Sequence, residues 1–73
     1  MTSFLVLTSA GPLGAGRIEA ARQALTLTEA SPRAPRLLAA DAAEIEFEGP
    51  RETALSAARA ALASEPVDVN AAP

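Results

Sequence analysis

The most concentrated apolar stretch of the chain is Phe4-Leu5-Val6-Leu7, set between Ser3 and Thr8-Ser9 and followed by Gly11-Pro12-Leu13-Gly14-Ala15-Gly16. Four large apolar residues bounded by small polar ones read as a buried strand over Ser3 to Ser9. The glycines after it permit a tight turn into a helix. That helix is expected to begin between Gly14 and Arg17 and to run to about Leu27, with Ile18, Ala21 and Leu25 on one face. Glu19 is expected in its first turn, where the helix dipole favours an anion. Thr26, Thr28 and Ser31-Pro32 weaken and stop it. Ser31 to Pro35, with two prolines three apart, reads as a linker.

Arg36 to Ala40 predicts a short strand with Leu37 and Leu38 on opposite faces, and Asp41-Ala42 a turn. Ala43 to Glu48 alternates strictly, which places Ile45 and Phe47 inward and Glu44, Glu46 and Glu48 outward on a half-buried strand. Gly49-Pro50 opens a second helix, with proline at the first helical position. Its apolar face is Leu55, Ala58 and Leu62, and Glu65-Pro66 ends it. Val67 to Asn70 is a last short strand, and Ala71-Ala72-Pro73 has no structural preference of its own.

The order β-α-β, β-α-β predicts an α+β chain of the ferredoxin-like βαββαβ type, a four-stranded antiparallel sheet with both helices on one face. The first and third strands are expected in the centre. The first is apolar on both faces, Phe4 and Val6 on one and Leu5 and Leu7 on the other. An apolar strip of Leu5, Leu7 and Leu38, rimmed by Glu44, Glu46 and Asp68, is the expected contact surface for a second copy or a neighbouring domain. The alternative is a few isolated exposed leucines.

Composition narrows the chemistry. Seventy-three residues support one domain, and much of the 49% hydrophobic content is alanine, so the core is thin. There is no cysteine and no histidine. This removes disulfides, thiolate chemistry, and the commonest general base and neutral metal ligand. A net charge of −3 and a pI near 4.7 argue against nucleic acid and anionic membranes as partners. The first residues carry no basic segment with an apolar run of signal-peptide length, and nothing approaches the ~20 apolar residues of a membrane span. The expectation is a cytoplasmic chain.

The best candidate ligand site is the turn after the first strand, through Ser9, Gly11, Gly14, Gly16 and Arg17. A Walker loop needs lysine and then a hydroxyl residue after its last glycine, where Arg17 and Ile18 stand. A dinucleotide fingerprint needs glycine at Glu19. What survives is a set of free helix-start N–H groups able to hold a carboxylate or other small anion, or else a plain turn. Glu44, Glu46 and Glu48 are a solvated strand face in preference to a metal or acid/base site. An acylphosphatase-like use of Arg17 lacks the rest of that family's loop pattern. RNA recognition needs aromatics on an open sheet face and a basic surface. No residue is assigned a catalytic or metal-binding role.

Leu37-Leu38-Ala39, Ala42-Ala43-Glu44-Ile45-Glu46-Phe47, Ala60-Ala61-Leu62 and Pro66-Val67-Asp68-Val69-Asn70-Ala71-Ala72-Pro73 together resemble the N-terminal segment of bacterial, particularly proteobacterial, phosphoserine phosphatases. Arg36 stands where relatives often carry an aromatic. The resemblance implies an ACT-like domain over residues 1–70, with 71–73 starting a linker to a catalytic domain of the haloacid-dehalogenase type. That domain would hold the catalytic aspartates and the magnesium. The parent enzyme would hydrolyse phosphoserine to serine and phosphate. This chain would regulate it or dimerise it, contacting its own catalytic domain or a second copy and binding L-serine at the turn from Ser9 to Gly16. The rival readings are a freestanding ferredoxin-like adaptor and, behind it, a small phosphate-handling enzyme using Arg17.

Overall fold

A computed structural model describes residues 2–72 of the chain. Its elements are β1 (Thr2–Ser9), α1 (Ala15–Leu27), β2 (Ser31–Pro32), β3 (Arg36–Ala39), β4 (Ala42–Glu48), α2 (Arg51–Ala61) and β5 (Val67–Ala72). Among the described residues this is an α+β fold of one antiparallel sheet and two helices. The strand order is β2-β4-β1-β5, with β3 also paired to β4 beyond β2. β1 therefore lies inside the sheet, Leu5 opposite Ile45 on one side and Ala71 on the other.

Register decides which face of β1 is core. In an antiparallel pair, directly opposed residues share a face. Ser3, Leu5 and Leu7 oppose Phe47, Ile45 and Ala43, all of them buried. With Leu13, Leu25, Leu62 and Val69 these form the core beneath the helices. The helices contribute mostly alanine, Ala21 and Ala24 from α1 and Ala54 and Ala58 from α2. Small residues there let two helices lie close together on a short sheet. One polar group is enclosed: the Ser3 hydroxyl is fully buried and finds no hydrogen-bond partner among the described residues.

The expected strip therefore needs correction. Leu5 and Leu7 are both 0% exposed and belong to the core, so neither faces outward. The apolar residues of the uncovered face are Phe4 and Val6, each half-buried. Leu38 is half exposed, but it sits in a bulge of the edge strand β3, with β4 between it and β1.

Smaller differences have local causes. Ser31-Pro32 is not free linker, because it pairs with Phe47–Glu48 of β4 at the sheet edge, where proline is tolerated. Pro50 caps α2 instead of starting it, and Ala54 joins its buried face. α1 starts at Ala15, which puts Glu19 beyond the first turn. Ala71 and Ala72 belong to β5, held there by pairing with Leu5 and Phe4, so they are not linker; Pro73 lies outside the described residues.

The end of α1 carries a built-in cost. Ala30 N–H bonds Leu25 O at 3.0 Å and Glu29 N–H bonds Thr26 O at 3.2 Å, the paired closure of a Schellman motif. That closure needs a left-handed residue, and Glu29 takes it with φ 65°. Glycine adopts this conformation freely, whereas other L-residues lose ~1 kcal/mol or more. Glu29→Gly is expected to stabilise the chain by about 1 kcal/mol in urea unfolding; a loss of stability would refute this reading of the cap.

Candidate functional site

Two places were in view from the sequence, the turn after β1 and the uncovered face of the sheet. At the turn, Gly14 occupies φ 83° immediately before α1, a conformation that favours glycine. The turn is fastened to the β3–β4 corner: Ser9 N–H donates to Asp41 O at 3.0 Å and Leu13 N–H to Ala40 O at 2.9 Å. Leu13 is buried beneath it. The Ser9 hydroxyl donates to the Gly11 carbonyl within the turn itself.

Arg17 is engaged by an acidic side chain. Its Nε donates to Glu65 Oε1 at 2.8 Å, tying the start of α1 to the residues after α2. Gly16 and Arg17 line a shallow groove of about 330 Å³ with Ala20, Ala61, Leu62 and Glu65. The five predicted ligand residues thus divide between two surroundings, and the only cation among them already has a carboxylate. Glu65 thus already offsets the charge that Arg17 would offer to a bound anion.

The uncovered sheet face is more coherent. From edge to edge it presents Arg33 and Arg36, then Glu44, Glu46 and Glu48 of β4, then Thr2, Phe4, Val6 and Thr8 of β1, then Asp68 and Asn70 of β5. The glutamates are not merely solvated. Arg36 Nη2 stands 3.1 Å from Glu44 Oε1, Arg33 Nε stands 3.5 Å from Glu46 Oε2, and Thr2 donates its hydroxyl to Glu48. Arg33 is placed by its own N–H, which donates to Glu46 O at 2.8 Å. Arg33, Arg36, Glu44, Glu46 and Phe4 line a hollow of about 340 Å³ together with Ala34.

Two carboxylates are held below the ordinary glutamate range. The Thr2 hydroxyl does this for Glu48, with a smaller contribution from Arg33. On α1, the hydrogen bond from Arg22 does it for Glu19, aided by Gln23. Both groups are partly exposed and serve as surface ties. Among the described residues no three His, Cys, Asp or Glu side chains are grouped to hold a metal ion. No helix there is long and apolar enough to cross a membrane.

The sequence reading missed Arg33 and Arg36, which pair with Glu46 and Glu44 of the neighbouring strand. Only a register could have revealed them. It also chose the wrong face of β1, because four consecutive apolar residues carry no alternation.

No family model matches the chain, and no curated protein matches it. Among solved structures, the chain is similar to a protein of unknown function from Galdieria sulphuraria, with a TM-score of 0.64 and 23% sequence identity over 99% of this chain. The match covers 44% of that structure, so this chain spans less than half its length. At that identity the likeness concerns the fold alone.

Proposed function

We propose that the chain is an ACT-like, ferredoxin-like βαββαβ domain that accompanies a phosphoserine phosphatase and works through contact, not through chemistry of its own. β2 and β3 then count as two halves of one interrupted edge strand, which gives the four-stranded order of that fold. The observation that carries the proposal is the uncovered sheet face with Phe4 and Val6 half-buried at its centre. Half-buried apolar residues in the middle of a polar sheet are what a seated neighbour covers.

The neighbour we infer is the parent's own catalytic domain. The molecule measures 30 × 22 × 17 Å. Such dimensions offer a flat face of roughly 600 Å², below the about 800 Å² per partner of a stable free complex. A tethered domain does not need that area, because the linker supplies effective concentration. Stacking two copies face to face would also crowd the three glutamates of β4 against their counterparts. Magnesium and the hydrolytic aspartates belong to the catalytic domain. L-serine at the β1–α1 turn remains part of the proposal, and it rests on the family resemblance.

The full-length product of the reading frame is expected to hydrolyse phosphoserine with magnesium. In that protein, millimolar L-serine is expected to move the amide signals of Ser9 to Arg17. A product with no phosphoserine hydrolysis would overturn the assignment to this enzyme. Hydrolysis without any shift in those amides would remove serine binding alone.

A further inference from the structure

β5 is an edge strand, paired with β1 on one side only. Such an edge normally offers a row of unpaired N–H and C=O groups to any extended chain. Here the row is already partly used. Arg59, reaching down from α2, donates from Nε to Val69 O at 3.0 Å, and its Nη2 lies 3.5 Å from Asn70 Oδ1. The peptide groups of Val69 therefore point away from β1. By the two-residue repeat of a strand, those of Val67 and Ala71 do the same. The outward N–H of Val67 is also engaged, donating to Glu65 O at 2.8 Å. An incoming strand must bond both groups of Val69, and one of them is covered by a guanidinium.

The opposite edge is blunted by other means. β2 has two residues and contains Pro32, β3 has four, and a bulge separates Leu37 from Ala39. Short, interrupted, proline-bearing edges are poor templates. β5, with six residues, is the long edge, and it is the one that receives the arginine.

We propose that Arg59 is an edge guard, which keeps β5 from pairing antiparallel with β5 of a second copy. Such a pairing is self-complementary about a two-fold axis, since each copy presents the same alternate residues to the other. This goes beyond the docking on the open face and does not depend on it.

The test is sedimentation equilibrium on the whole chain, with amide exchange measured in parallel. Arg59→Ala is expected to associate about tenfold more tightly than the wild type, the effect of one or two net hydrogen bonds. Val69 and Ala71 amides should then exchange more slowly. Adding Ala71→Pro, which removes an outward N–H and leaves the β1 side intact, should return the double variant to wild-type association. Arg59→Gln, retaining a shorter donor, should fall between. Unchanged association of Arg59→Ala, or association that Ala71→Pro leaves in place, would overturn the proposal.

Discussion

Phe47→Ala is expected to remove about 3–5 kcal/mol of the chain's stability, a large share of the whole. Phe47 is the largest fully buried side chain, placed opposite Ser3 on β1 in the core that both helices cover. Removing a buried phenylalanine costs about 3–5 kcal/mol, through lost transfer free energy and the cavity left behind. A 73-residue chain has roughly 4–11 kcal/mol in all, at about 0.05–0.15 kcal/mol per residue. Ser3, which stands opposite it on β1, is too small to refill the space. Circular dichroism and urea unfolding measure the effect directly. A loss under about 1.5 kcal/mol would mean that β4 does not bury this residue as described.

Phe4→Ser with Val6→Ser is expected to do the reverse, sparing the fold and weakening the contact with the parent. Both residues are half-buried on the uncovered face, so their loss in the isolated chain should cost far less than that of Phe47. At an interface, apolar anchors at the centre of a patch commonly carry about 2 kcal/mol or more each. In the full-length protein, docking between the tethered domains should therefore be at least about thirtyfold weaker in the double variant than in wild type, read from the independent tumbling of the two domains in nuclear relaxation. Equal docking would contradict the proposed use of this face. Leu38→Ser, on the edge strand, is expected to change neither quantity appreciably.

The contrast between Phe47 and Phe4 shows what was legible in the sequence. The alternation Ala43 to Glu48 fixes its own inward side, because a strand buried on one face must repeat every two residues. Phe4 to Leu7 has no such repeat. The segment is legible as a strand, but its orientation comes from its partners, and a shift of one residue would exchange the faces. The helices were legible from their apolar spacing, although their alanines conceal how much of each is buried. β5 runs two residues further than read because Ala71 and Ala72 owe their conformation to β1.

The candidate site was less legible still. Glycine spacing correctly marked the turn before α1, yet it could not show that Arg17 would be occupied by Glu65, 48 residues away. Arg59 reads as an ordinary polar position of α2, and its bond to Val69 depends on how α2 lies over β5. Glu29 breaks the usual preference for glycine after a helix, so nothing local announces its left-handed backbone.

The assignment of the two faces of β1 is tested most directly by the methyl nuclear Overhauser spectrum of the intact chain. The Leu5 and Leu7 methyls should show cross-peaks to helix residues such as Ala21, Leu25 and Ala58. The Val6 methyls should show them to Glu44 and Asn70 and to no helix residue. Val6 cross-peaks to α1 or α2, with Leu5 and Leu7 silent there, would contradict the structure described and remove the open-face contact with it.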